Sequence, residues 1–248
     1  MIKTVLGTLL LSSALFGGTI SIAVAANVSF AIDSLKKEFK KTNPKTNVRV
    51  TMGSSGKLTA QIMNGAPYSL FMSANMKYPR ALYSSSNAIS KPLVYAQGSL
   101  AYFSVKKRDF SNALELFQSE KISKIAIANP KTAPYGKAAF EALKNAKVLE
   151  KLRKKFVYGE SISQTLSYAT LAADVGIVAM SSLYSPKLSR FKKGVNWLEM
   201  DSTLYSPIDQ GVVVLKNGAN DPEVLAFYDF LFSDRAKKIF QEFGYKTP

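Results

Sequence analysis

Two serines, Ser54 and Ser55, stand between two glycines in the stretch Met52-Gly53-Ser54-Ser55-Gly56-Lys57-Leu58. A strand-like run, residues 48–52, precedes them, and Leu58 and Ile62, four apart, follow in a helical pattern. A strand, a tight turn and a helix start leave several backbone N–H groups without partners at one point in space. With two hydroxyls and the positive end of the helix dipole added, such a turn suits an anion. The plainer alternative is a serine that caps an ordinary surface helix. Similar helix starts recur. Ala25-Ala26-Asn27-Val28-Ser29 precedes the stripe Ile32, Leu35, Phe39, and both Asn27 and Ser29 are capping types. Asn129-Pro130-Lys131-Thr132-Ala133-Pro134-Tyr135-Gly136 precedes Phe140 and Leu143, with Thr132 placed to cap and Pro134 suited to a first helical position. Gly159-Glu160-Ser161-Ile162-Ser163 precedes Leu166 and Ala169 as a fourth such turn.

What is missing narrows the chemistry. The chain has no Cys and no His, so disulfides, thiolate or zinc sites and a Ser-His-Asp triad are all excluded. A serine hydrolase using Ser54 or Ser55 would need Lys57 as base, and Gly-Ser-Ser-Gly is not the Gly-x-Ser-x-Gly elbow. The formal charge of +16 favours solubility and loose attraction to acidic surroundings. Basic residues lie on helices that alternate with strands and no nucleic-acid-binding motif is present, so no nucleic-acid partner is expected.

The elements that position these turns can be read in order. Residues 1–18 pair a basic start with a short apolar core, the pattern of a secretory signal peptide for export to the periplasm. Small-x-small sites occur around residues 23–26, but residues 20–24 also read as a buried strand, which places the expected cut near Gly17 or Gly18. Further strands are expected over residues 48–52, 69–73, 100–105, 125–128, 175–180 and 211–215, with residues 205–210 as a connector and one final helix over about 223–242. The first 75 residues therefore read β-α-β-α-β, the signature of a mostly parallel sheet whose ligands bind beyond the strands' carboxyl ends. The chain leaves one lobe near Gly98 and returns near Tyr205. Two connectors between two lobes make a cleft that can hinge shut.

The chain resembles the periplasmic molybdate-binding proteins of ABC importers over nearly all of its mature length. The resemblance rests on Ala25-Ala26-Asn27, Gly53 to Leu58, Gln61-Ile62 with Gly65-Ala66-Pro67, and Leu70-Phe71-Met72-Ser73-Ala74. It continues through Asn129-Pro130, Pro134-Tyr135-Gly136, Gly176-Ile177-Val178 and the closing stretch from Phe227 to Tyr245. It implies an α/β fold of the type II periplasmic binding protein class, two βα lobes joined by two crossover strands with a ligand cleft between them. The expected division is a signal peptide over 1–18, lobe 1 over 19–97 plus 208–248, and lobe 2 over 98–207. The implied activity is not enzymatic: a monomeric binding protein captures molybdate, and tungstate with it, and hands it to a membrane permease. No cofactor is implied. The implied oxyanion contacts are Asn27, Ser54, Ser55, Tyr135 and Ile162, with Ser29 as an extra donor; they touch oxygens and are not direct metal ligands. Many members carry a tyrosine directly after the Gly-Ile-Val strand where this chain has Ala179, and Tyr135 is expected to supply a hydroxyl or N–H in its place. Another tetrahedral oxyanion such as sulfate is the near alternative.

Overall fold

The computed structural model describes residues 18–248. The expected signal peptide, residues 1–18, lies outside the described residues except for Gly18. The chain begins with β1 (Thr19–Ala25), a 3-10 turn (Ala26–Val28), α1 (Ile32–Thr42), β2 (Asn47–Gly53), α2 (Ser55–Met63), β3 (Leu70–Ser73), α3 (Lys77–Ser84) and β4 (Leu93–Gly98). A second series follows: β5 (Leu100–Phe103), α4 (Ala113–Gln118), β6 (Ile125–Ala128), α5 (Pro134–Asn145), α6 (Leu149–Leu152) and β7 (Phe156–Gly159). Then come α7 (Ile162–Leu171), β8 (Val175–Ala179), α8 (Met180–Leu183) and β9 (Trp197–Glu199), and finally β10 (Ile208–Val214), α9 (Pro222–Phe230) and α10 (Asp234–Glu242).

The strands form two five-stranded sheets, ordered β2-β1-β3-β10-β4 and β7-β6-β8-β5-β9. Each is built alike. Three neighbouring strands run parallel, and one strand contributed from the crossing region, β10 or β5, runs antiparallel among the rest. Residue 99 alone separates β4 of one sheet from β5 of the other, and residues 200–207 lead from β9 back to β10. Strands β3, β6 and β8 are buried along their whole length because both faces are covered, as parallel strands under crossover helices must be, and β1 is buried from Ile22 onward.

The helical stripes pack as their spacing requires. Ile32, Leu35 and Phe39 of α1 are buried, and the Phe39 ring meets Phe227 of α9 edge-on at 5.0 Å. The expected single helix over 223–242 is in fact two. Residues 231–233 turn the chain, and the Ser233 side chain accepts from the Ala236 N–H at 3.3 Å to cap α10. A serine that bonds the backbone locally competes with helix continuation, which ended the pattern early. Nor do Asn27 and Ser29 cap α1. The chain makes a 3-10 turn first, and the N-cap of α1 is Ala31 without a side-chain bond. The connector expected over 205–210 is shorter, because β10 already begins at Ile208.

Candidate functional site

The turns singled out by residue type meet at one place. Asn27, Ser54, Ser55, Tyr135 and Ile162 line a single small cavity, together with small neighbours such as Gly53, Ala74 and Ala133. They come from the carboxyl ends of four strands. Asn27 follows β1, Ser54 and Ser55 follow β2, Tyr135 follows β6 and Ile162 follows β7. Two of these strands belong to the first sheet and two to the second, so the cavity lies between the sheets. Ser29 does not line it; its hydroxyl lies 3.4 Å from that of Ser163.

The local chemistry at each helix start differs. Ser54 is the N-cap of α2 and accepts from the Lys57 N–H at 3.4 Å. Ser55 is the first helical residue, and its Oγ accepts from the Ala74 N–H at 2.9 Å, which leaves its O–H as a donor. At α5 the expected cap fails: the N-cap is Ala133, with no side-chain bond, and the Thr132 hydroxyl is buried without a partner. Thr132 serves through its backbone instead, its carbonyl accepting from the Gly56 N–H at 3.0 Å. Gly136 permits this tight start, since a Cβ there would collide with the Ala128 carbonyl oxygen. Ser161 caps α7 by accepting from the Gln164 N–H at 3.2 Å. The N–H groups of Ser55, Tyr135 and Ile162 fall in first helical turns, where no carbonyl one turn back is available, and with that of Asn27 they have no acceptor among the described residues.

A buried polar cluster fixes Asn27. The Gln210 Nε2 donates to the Ile208 carbonyl at 2.8 Å, which sets the direction of the Gln210 amide and turns its Oε1 to Asn27. Asn27 Nδ2 donates to that Oε1 at 2.8 Å and to the Tyr245 hydroxyl at 2.9 Å. Tyr245 in turn donates to the Asn27 carbonyl at 2.9 Å, joined by the Ser181 hydroxyl at 3.2 Å. Both side-chain hydrogens of Asn27 are thus engaged within the protein, which leaves its backbone N–H as its donor without a partner among the described residues. The register of β10 against β4 shifts between Gln210 and Gly211, an irregularity of the kind that re-aims a side chain beside a site.

Tyr135 points its ring the same way. Its hydroxyl is so close to Gly98 that a Cβ there would collide with it, and it lies beside the Asn27 amide without forming a well-aligned hydrogen bond. Burial, reinforced by Tyr245, Tyr95 and Tyr205, pushes the Tyr135 hydroxyl well above the ordinary phenol range. Burial also pushes Tyr245 up to about 12. Both therefore remain neutral, and no residue lining the cavity carries a formal charge. The nearest ion pair, Lys57 with Glu160 at 2.8 Å, joins the two sides in solvent-exposed positions. That pairing occupies the lysine a serine hydrolase would need as base. Among the described residues no group of acidic side chains is arranged to hold a metal ion.

Gln210 and Ser181 are contributors outside the motifs, while Tyr245 and Ser163 fall within motifs that gave them no role. Gln210 directly precedes the apolar run Gly211 to Leu215, and extending that strand by a few residues is the step that would have found it, because a polar group buried in a strand must be hydrogen-bonded.

Comparison with known proteins accords with this arrangement. Residues 20–246 match the family model described as bacterial extracellular solute-binding protein. The chain is 32% identical over 242 residues to the molybdate-binding protein ModA of Azotobacter vinelandii, covering 97% of this chain and 94% of that one. It is 34% identical over 232 residues to ModA of Rhodobacter capsulatus, covering 93% and 89%. Among solved structures, the Azotobacter vinelandii periplasmic molybdate-binding protein superposes with a TM-score of 0.85 at 30% identity, covering 92% of this chain and 99% of that one. The sulfate-binding protein SubI of Mycobacterium tuberculosis shares the fold, with a TM-score of 0.76 at 14% identity over 92% of this chain and 86% of that one. Matched by that family model over residues 20–246 and by relatives 32% and 34% identical along nearly their whole length, this chain belongs to the bacterial extracellular solute-binding proteins.

Proposed function

We propose that this protein captures a tetrahedral dianion, molybdate or tungstate, between its lobes outside the cytoplasm and delivers it to the membrane permease of an ABC importer. One observation carries the reading: four helix starts, two from each sheet, converge on one cavity walled by neutral donors and by no charge. The names of the relatives, molybdate-binding proteins on both sequence and structure comparison, support the choice of ion.

The chemistry follows from desolvation. A dianion shut away from water must have its oxygens hydrogen-bonded, or its burial is prohibitive. Here Ser55 offers its hydroxyl and N–H, Tyr135 and Ile162 offer N–H groups at the positive ends of α5 and α7, and Asn27 adds an N–H from the 3-10 turn after β1. Ser54 borders the site as a cap, and Ser29 stands one shell further out. Donors alone suit a fully deprotonated oxyanion. Hydrogen phosphate would need an acceptor, and Glu160, the acidic residue of these turns, is held by Lys57. Size separates molybdate and tungstate from sulfate, since all three share the tetrahedral shape and the charge.

The working unit is one chain. Residues 19–97 with 208–248, and residues 98–207, move as two lobes about the crossings. Cleavage of the leader falls before Thr19, because β1 sits between β2 and β3 and its loss would split the first sheet.

Calorimetric titration of the mature, desalted protein with molybdate, tungstate, sulfate and phosphate tests the reading. Molybdate and tungstate bind tightly, and sulfate and phosphate give no heat. At a hundred times its dissociation constant, a bound ion adds about 2.7 kcal/mol of stability, visible as a melting shift. Heat only with sulfate or phosphate would overturn the ion assignment, and silence with all four would overturn the oxyanion reading itself.

A further inference from the structure

We propose that Ser163 is a positioning residue for this site: bonding across the cleft, it fixes the peptide that presents the Asn27 N–H, and does so only while the lobes are shut. The inference rests on the oxyanion reading of the cavity.

The Ser163 hydroxyl donates to the Ala26 carbonyl at 2.7 Å, between residues 137 positions apart in the chain. Ser163 is the second residue of α7, next to Ile162 at the cavity wall, whereas Ala26 opens the 3-10 turn after β1 of the other sheet. The hydroxyl is not needed by its own helix, because Ser161 already caps α7. Its acceptor is the carbonyl half of the Ala26–Asn27 peptide. In a trans peptide the N–H points opposite to the C=O, so holding the Ala26 oxygen on the side of Ser163 directs the Asn27 N–H the other way, toward the cavity.

Three further contacts make this more than a chance approach. The Ser29 N–H donates to the same carbonyl at 3.2 Å, so the oxygen has a local donor and one from the opposite lobe. The Ser29 hydroxyl, 3.4 Å from Ser163, completes a small hydroxyl pair over the turn. The next carbonyl, that of Asn27, also takes a donor from the second lobe, Ser181 at 3.2 Å. Successive carbonyls of one turn are thus gripped from across the cleft. A peptide whose oxygen accepts strong hydrogen bonds is polarised and becomes a better donor at its nitrogen. Ser181 stands beside the crossing, where Met180 donates to the Ser99 carbonyl at 2.9 Å, so it moves little on opening. Ser163, on the rim, loses its acceptor when the lobes part. Its effect therefore falls on release of the ion rather than on capture.

The test is stopped-flow kinetics with molybdate and tungstate on the mature protein, comparing wild type with Ser163→Ala and recording melting of both proteins without ion. The expected result is a dissociation rate raised about tenfold, as for loss of one hydrogen bond, with the association rate and the ion-free melting temperature unchanged. An unchanged dissociation rate in Ser163→Ala overturns the inference while the oxyanion reading stands. A fall in association rate together with a lower ion-free melting temperature also overturns it, since that marks a merely structural serine. A wild type that binds neither ion overturns the oxyanion reading and this inference with it.

Discussion

At the scale of single residues, adjacent serines take different work from one position's difference in the turn. Ser54 precedes the helix and its side chain folds back to cap it, while Ser55 is inside the first turn and its hydroxyl stays available. Ser55→Ala is expected to weaken oxyanion binding by about 1.5–3 kcal/mol, the range for a hydrogen bond to a charged group. Ser54→Ala is expected to leave binding nearly intact and to lower stability by about 1 kcal/mol through the lost cap. Calorimetry and urea unfolding on the two variants separate these effects; a loss of affinity in Ser54→Ala equal to that in Ser55→Ala would contradict the assignment. Asn27 makes a similar point. Its amide is engaged by Gln210 and Tyr245, so its residue type serves to anchor the turn while its backbone N–H is left without an acceptor among the described residues.

At the scale of elements, what matters is where helices begin. The 3-10 turn after β1, α2, α5 and α7 all start at carboxyl ends of parallel strands, and parallel strands in one sheet put those ends on one edge. Two such edges facing each other make the cavity. Helix ends away from the site are governed by ordinary capping. The break between α9 and α10 depends on Ser233, whose side chain accepts from the Ala236 N–H. Ser233→Ala is expected to cost about 1 kcal/mol of stability with oxyanion affinity unaltered, read from urea unfolding and calorimetry. A loss of affinity there would mean that α10, which leads to Tyr245, transmits strain to Asn27.

At the scale of the whole molecule, charge and site are kept apart. The chain carries a formal charge of +16, +15 without residues 1–18, yet the cavity walls are neutral. The surface field can speed the approach of an anion, whereas the bond network in the closed cleft determines how long it stays. Raising the ionic strength from 10 mM to 500 mM is therefore expected to slow oxyanion association several-fold and to leave dissociation nearly constant, because salt screens exposed charge and reaches buried donors poorly. Stopped-flow traces across that range decide it; a dissociation rate that climbs with salt would place a charged group in the site.

The sequence by itself determined the features that depend on local spacing. Alternating strand and helix runs specify the parallel part of each sheet, and Gly53 to Leu58, Pro134-Tyr135 and Ser161-Ile162 mark helix starts because caps, prolines and apolar stripes act within a few residues. The absence of His and Cys determined that imidazole and thiolate chemistry have no part in the site. Tertiary structure alone decided which donors remain free. Whether the Asn27 amide faces an anion or a glutamine depends on Gln210, far along the chain, and on Tyr245 near its end. Thr132 was placed to cap α5, but contact with Gly56 from the other side of the cleft drew its carbonyl into service and left the cap to Ala133. The turn holding Ser163 is legible as a helix start, but the role of its hydroxyl is not, since its acceptor, the Ala26 carbonyl, lies in the other lobe. A hydrogen bond between distant segments is set by how two sheets face each other, and neither segment's own residues encode that angle.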